Sequence, residues 1–272
     1  MTSRVVLVTG AAGGIGSAIT RALIDAGHSV AAHDRDAAAL DRLTAQLAGK
    51  QDRLFTIRGE LSEPRVCADA VAQAAAHFGR LEGLINNAGI GPSSIKPDAE
   101  VKLLSIEEID AGIWDRFFAI NVRAPMLLTR AALPHMKRAK WGRVINNTTS
   151  YRTMLRILPY GATKSALESM SAIWATELAA AGITVNVLIP GGPTDTPFIS
   201  DATGWPRDKM LRPAVMGPPA VYLMSDEAGG VTGQRITAGR WDASVPGADA
   251  MKNAARAIGW PELTADAVWL QS

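Results

Sequence analysis

Tyr160 and Lys164 lie four residues apart in the stretch NNTTSYRTMLRILPYGATKS, and three hydroxyl residues, Thr148, Thr149 and Ser150, stand upstream of them. On a helix, positions i and i+4 share a face, so this spacing sets an ammonium beside a phenol. A free tyrosine titrates near about 10, and a neighbouring positive charge favours the phenolate and lowers that value. The pair therefore has the makings of a proton donor and acceptor that works near neutral pH. An isolated Y-x-x-x-K is equally an ordinary helix start with a snorkelling lysine. Its meaning depends on what else the chain carries.

The second chemical feature is TGAAGGIG, residues 9–16. Glycine lets a chain turn tightly and lets a pyrophosphate approach without a Cβ in the way. A helix opening just after the turn offers free N–H groups and the positive end of its dipole. Gly10, Gly14 and Gly16, with Ile15 between the last two, are the expected phosphate contacts. A run of apolar residues precedes the turn, and Asp34 closes the next such run. A carboxylate there can accept hydrogen bonds from adenosine ribose hydroxyls and repels a 2′-phosphate. Arg35 follows and could favour NADP, but the glycine turn brings no Lys or Arg to help it. The expected cofactor is NAD.

These groups need elements to hold them. Short β-branched runs at 4–9, 29–34, 54–59, 83–86, 143–147, 184–189 and 234–238 read as seven strands. Helical patterns separate most of them: 14–26, 36–48, a stretch from Pro64, 123–137, and a helix from about Tyr160 with Leu167, Met170, Trp174 and Leu178 on one face. Continuous apolar strands alternating with helices imply a mostly parallel sheet covered on both faces. The expected fold class is α/β, a Rossmann-type doubly wound sheet in one domain, with ligands at the carboxyl ends of the strands. The stretches 90–112 and 190–219 read as irregular connections of the kind that form lids or binding loops. A tail, residues 239–272, carries Trp241, Trp260 and Trp269 and has no place on the seven strands.

Bulk properties narrow the rest. The chain has 272 residues, 47% hydrophobic and 20% charged, enough for one substantial core. A net charge of +2 gives no footprint for nucleic acid. The single cysteine, Cys67, excludes an internal disulfide, argues against a cysteine-based metal site and reads as a small core residue. No metal is expected. No apolar run spans a bilayer and no leader pattern opens the chain, so a soluble cytoplasmic protein is the expectation.

With TGAAGGIG, NNAG at 86–89 and Tyr160-Gly-Ala-Thr-Lys164 in that order, the chain resembles the short-chain dehydrogenase/reductase family from about residue 4 to Ala238. The resemblance implies hydride transfer between a nicotinamide and a secondary alcohol or ketone, in a homo-oligomer, often a tetramer. It implies that Asn87, Ala88 and Gly89 lie beside the adenosine ribose and that Glu60, with Leu61, lies near the adenine amino group. Pro190 and Gly191 look like the segment whose backbone and threonines hold the nicotinamide carboxamide, with Ile189 as a backbone partner. Tyr160 is then the acid/base. Lys164 tunes it and reaches the nicotinamide ribose, and Asn121 anchors a water in a proton relay. The alternatives are a silent NAD-binding sensor or scaffold on the same fold, an NADP-dependent ketoreductase, and a sugar-nucleotide epimerase, for which the chain is short.

The sequence departs from the family at several points. The family's serine thirteen residues before the tyrosine would fall on Asn147. Aligning VINNTTS on its strand instead gives Thr149, with Ser150 as the neighbour able to substitute, and leaves the loop to Tyr160 two residues short. PGGPTDT has one extra residue, so either Thr194 or Thr196 meets the carboxamide. Arg152 and Arg156 in the shortened loop read as solvated, with an acidic substrate as the alternative. The tail tryptophans could cover the substrate cleft, contact another subunit, or fill core.

Overall fold

The computed structural model describes residues 2–264. Its strands are β1 (Val5–Thr9), β2 (Ser29–Asp34), β3 (Leu54–Arg58), β4 (Gly83–Asn86), β5 (Gly142–Asn147), β6 (Ile183–Ile189), β7 (Gln234–Thr237) and β8 (Ala255–Ala257). They form one sheet in the order β3-β2-β1-β4-β5-β6-β7-β8. Pairing is parallel from β3 to β7, and only β7 with β8 is antiparallel. The helices are α1 (Gly14–Asp25), α2 (Ala37–Gln46), α3 (Pro64–Phe78), α4 (Ala111–Phe118), α5 (Ala124–Ala139), α6 (Tyr151–Met154), α7 (Tyr160–Glu177), α8 (Gly217–Leu223) and α9 (Gly247–Ala254).

The apolar alternation along β1 explains the layers. Val6 and Val8 pack with Ile19, Leu23, Met216 and Leu223 on one face of the sheet. Val5 and Leu7 pack with Val71, Leu128, Met136 and Val185 on the other. A strand buried on both faces reads as a continuous apolar run because successive side chains enter opposite cores. Cys67 belongs to the second of these cores. Order reverses between β2-β1 and β4-β5, which opens a crevice at the carboxyl ends of these strands.

One sequence expectation is corrected. The sheet has eight strands among the described residues, not seven, because the tail returns as β8 and covers the edge of β7. An uncovered edge exposes a row of unpaired backbone groups. The three residues of β8, Ala-Arg-Ala, are too short to show a period. The helix expected over 123–137 is present as α5, and it follows directly on α4 through a π turn at Ala119–Arg123. Pro125, four residues after Asn121, has no N–H to return to the Asn121 carbonyl.

Of the tail tryptophans, Trp241 packs 5.4 Å from Tyr222 and Trp260 lies 5.6 Å from Tyr151, centroid to centroid. Trp269 lies outside the described residues. Among those described, no helix is long and apolar enough to cross a membrane.

Candidate active site

A cleft of about 990 Å³ opens over the carboxyl ends of the strands. Every position expected to meet cofactor or substrate lines it, apart from Asn121 and Ile189. One end is the glycine turn. Gly10 has φ 62°, and a Cβ there would come within 2.9 Å of the Ala88 Cα. The N-terminus of α1 has no side-chain cap, so the first-turn amides of Gly14, Ile15 and Gly16 face the cleft without one. An uncapped helix start over an open cleft suits a pyrophosphate.

Asp34 holds this turn from the end of β2. Its Oδ2 accepts from the Ala12 amide at 3.0 Å and its Oδ1 from the Asp36 amide at 3.1 Å. A carboxylate has about four acceptor positions, so two remain for ribose hydroxyls. Arg35 is turned to Glu60, with Nη1 to Oε2 at 3.5 Å, and both side chains are exposed. Such a pair contributes little, but it directs the arginine along the adenosine end. Leu61 is buried beside Glu60. These groups fit the adenosine half of a nicotinamide dinucleotide.

Asn87, Ala88 and Gly89 follow β4. The Asn87 amide donates to the carbonyls of Thr9 at 2.9 Å and Gly10 at 3.1 Å, and its Oδ1 accepts from Asn147 Nδ2 at 2.9 Å. The Asn87 side chain thus laces the ends of β1, β4 and β5 together. At Gly89 a Cβ would lie 3.0 Å from Asn121 Oδ1 and 3.5 Å from Lys164 Nζ.

Tyr160 opens α7 at the floor of the cleft. Burial pushes its phenol well above the ordinary tyrosine range; a hydrogen bond with the Thr149 hydroxyl works against this, and the charge of Glu100 adds to it. Burial pushes Lys164 down to about 8. The Lys164 ammonium lies 5.7 Å from the Tyr160 ring centroid and donates to the Asn147 carbonyl at 2.8 Å. An ammonium has three donors, so two remain. Asn121 is fully buried in the π turn. Its Nδ2 donates to the Ile90 carbonyl at 3.0 Å and to Thr163 Oγ1 at 3.1 Å, and its Oδ1 accepts from the Ile90 amide at 2.9 Å.

Thr149 and Ser150 have different surroundings. Ser150 caps α6: its Oγ accepts from the Thr153 amide at 3.1 Å and lies 2.9 Å from Thr153 Oγ1. Thr149 is the hydroxyl whose influence lowers the Tyr160 phenol, against the larger effect of burial. The shortened loop forms α6, which lies tight against α7, and a Cβ on Gly161 would meet the Met154 carbonyl at 2.3 Å. Thr194 and Thr196 are both buried, and their hydroxyls bond only within their own segment, to the Gly192 and Thr194 carbonyls. Thr196 also packs on the start of α1, where a Cβ on Gly14 would come within 2.3 Å of its methyl.

Sequence reasoning missed several groups here. Asn147, set aside because it has no hydroxyl, contributes the carbonyl that holds Lys164. Phe198 lies 5.8 Å from Tyr160, ring centroid to centroid and tilted by 56°, and lines the same cleft. Glu100, within the connection 90–112, lines the cleft near the phenol. Arg235 and Glu168 form a buried ion pair at 2.5 Å behind Thr149. A backbone carbonyl leaves no trace in residue type, Phe198 and Glu100 lie in segments with no period, and Arg235 and Glu168 sit in elements whose apolar pattern does not announce a polar pair.

The short chain dehydrogenase family profile matches residues 4–206. The chain belongs to this family, and so is an NAD(P)-dependent oxidoreductase acting on CH–OH and C=O groups. It is 27% identical to a D-beta-hydroxybutyrate dehydrogenase of Rhizobium meliloti (strain 1021), covering 89% of this chain and 99% of that one. It is 28% identical to 3beta-hydroxysteroid dehydrogenase 2 of Eggerthella lenta, covering 89% and 96%. Among solved structures, the NADH complex of a 3-ketoacyl-(acyl-carrier-protein) reductase from Brucella melitensis matches with a TM-score of 0.73 at 27% identity, covering 87% of this chain and 98% of that one.

Proposed function

We propose that this chain is an NAD-preferring dehydrogenase and reductase of secondary alcohols and ketones, with Tyr160 as the proton donor and acceptor. The observation that carries the reading is the buried Tyr160 phenol in the cleft that Thr149 also lines, one helical turn from Lys164, whose ammonium lies 5.7 Å from the Tyr160 ring centroid. The bound nicotinamide supplies or accepts the hydride. Thr149 and Tyr160 together hold the substrate oxygen, and the phenol gives up or takes the proton. Lys164 spends one N–H on Asn147 and has two left for ribose hydroxyls. Its positive charge also favours the phenolate when Tyr160 acts as a base. Both Asn121 side-chain N–H groups are committed, to Ile90 and Thr163, and its part in a relay falls to its main-chain carbonyl, which Pro125 cannot bond. The preference for NAD rests on Asp34, whose carboxylate would meet a 2′-phosphate.

The test is Tyr160→Phe, assayed with NADH and NADPH against a panel of ketones and alcohols. Turnover should fall by about 10²–10⁴-fold, with the dinucleotide Kd within about twofold. Near-normal turnover in the variant would sink the assignment. Dinucleotide binding by the unmodified chain with no turnover on any alcohol or ketone would favour the sensor instead.

A further inference from the structure

Phe198 is a large apolar side chain left open to the cleft beside the phenol. Its ring centroid lies 5.8 Å from that of Tyr160, and 41% of the residue is accessible. Of the large apolar residues exposed among those described, it alone lines the cleft. A single exposed apolar side chain needs no explanation, but this one is fixed from several sides. Arg207 donates to the Thr196 carbonyl at 3.0 Å and the Ile199 carbonyl at 2.6 Å, on either side of Phe198. The Ser93 hydroxyl lies 2.9 Å from the Phe198 carbonyl and ties this segment to the connection 90–112. The ring itself sits on Gly91, where a Cβ would come within 2.4 Å of its Cζ. Ordering a side chain costs conformational entropy, and a ring already held in place lowers the cost of binding whatever it meets.

The groups around the ring narrow what that is. Ser150 and Thr153 are bonded to each other at 2.9 Å. Glu100 gives its Oε1 to Ser93 at 2.7 Å, and its Oε2 is buried. Arg152 and Arg156 line the cleft but are exposed, so water already serves them. Thr149 and Tyr160 remain for the reacting oxygen. Ile90 and Ile157 pack with Tyr160 in one apolar cluster and line the cleft with it. Together with Phe198 they set hydrocarbon beside the phenol. A carbinol carbon whose oxygen rests on Tyr160 therefore places its substituent among apolar side chains.

We propose that Phe198 is a specificity-determining residue: its ring, seated on Gly91, packs against an apolar ring on the carbinol carbon of the substrate, so that the enzyme selects aryl and alicyclic secondary alcohols and ketones over small aliphatic ones. This rests on the dehydrogenase reading above. Such a contact gains from buried apolar area and, for an aryl group, from ring geometry. Even one methylene in an apolar pocket discriminates by about 10–200-fold.

The test compares kcat/KM for acetophenone and cyclohexyl methyl ketone with that for 2-butanone, in the unmodified chain, Phe198→Ala, Gly91→Ala and the double variant. The unmodified chain should favour the ring ketones by about tenfold or more, and Phe198→Ala should lower that ratio by about tenfold. Gly91 has φ −115° and ψ 178°, a conformation open to alanine. Gly91→Ala therefore acts by pushing the ring off its seat, and it should lower the ratio in the same direction. In the Phe198→Ala background the Gly91 change should add nothing to the ratio, because the atom it meets is gone. The ratio is taken within each protein, so a general loss of activity cancels.

An unchanged ratio in either single variant, no preference for a ring ketone in the unmodified chain, or a Gly91→Ala effect that persists without Phe198 overturns the proposal. Weaker dinucleotide binding by Phe198→Ala with an unchanged ratio would place the ring on the cofactor instead. If no alcohol or ketone is turned over at all, the dehydrogenase reading fails. Calorimetric titration of acetophenone into the NAD-loaded chain and its Phe198→Ala variant then decides on Phe198 alone. Binding weakened about tenfold in the variant supports its role, and equal binding, or none to either protein, overturns it.

Discussion

Arg235 donates one hydrogen bond to the carbonyl oxygen of Thr149 and another to Glu168 Oε2, 2.5 Å away, with both side chains buried. Glu168 also accepts from the Thr148 hydroxyl at 2.9 Å and the Tyr151 hydroxyl at 3.2 Å. The backbone on each side of the Thr149 hydroxyl is thus held by an ion pair from β7 and α7. Arg235→Met would leave Glu168 buried and unpaired, at a cost of about 3–5 kcal/mol, and would free the Thr149 backbone. Adding Glu168→Leu should recover much of the melting temperature. It should not recover kcat, because nothing then anchors Thr149. Full recovery of kcat in the double variant would show that the pair acts on stability alone.

The two candidate hydroxyls should separate cleanly. Thr149→Ala should lower kcat/KM by about 10²-fold or more, the scale of losing a donor to the reacting oxygen. Thr149→Ser should restore most of it, since the hydroxyl is retained. Ser150→Ala removes a helix cap and should cost about 1 kcal/mol of stability, with the larger effect on the melting midpoint than on turnover. The opposite pattern would move the substrate contact to Ser150.

Asp34→Ala should raise the NADPH-to-NADH ratio of kcat/KM, because the carboxylate that opposes a 2′-phosphate is gone while Arg35 stays. The change also frees the Ala12 amide, so NADH use should fall in absolute terms. The ratio in steady-state assays is the deciding quantity. An unmodified chain that already uses NADPH better would overturn the reading of Asp34.

Lys164 predicts a pH dependence of stability. Burial lowers it to about 8 in the folded chain from the usual 10.5. Between these values the unfolded chain holds the proton and the folded chain has released it. Stability therefore rises with pH across that window, by at most about 1.4 kcal/mol per pH unit. Below about pH 8 the charged, desolvated lysine is a standing cost. Denaturant midpoints for the unmodified chain and Lys164→Met, measured from neutral pH to about pH 10, should diverge in this sense. Parallel curves would show that the ammonium is not desolvated.

Much of the frame was legible because its signals are local. Most of the seven parallel strands announce themselves as apolar runs, since those inside the sheet, such as β1, β4, β5 and β6, are buried on both faces. The glycine turn, Asp34 at the end of β2 and the Tyr160–Lys164 spacing are all short-range patterns. They led to a nicotinamide dinucleotide fold, and the family profile agrees. The expected tyrosine pKa shows the limit of such reasoning. Helical spacing brings Lys164 beside Tyr160, but the depth of burial, which spacing does not encode, holds the phenol high.

What the tertiary structure alone decided depends on contacts between distant segments. Thr149 and Ser150 are adjacent and chemically alike. They part only because α6 claims Ser150 as its cap while Arg235, 86 residues away, grips the Thr149 carbonyl. The sheet gained β8 because the tail returns against the edge of β7, through three residues too few to show a period. Glu100 stood in a stretch with no period, unremarkable until Ser93 took one of its oxygens and packing left the other buried without a partner. The amino-acid sequence by itself determined the fold and the family, because both are written in short-range patterns. Which polar atoms are left unsatisfied follows from packing that no local pattern records.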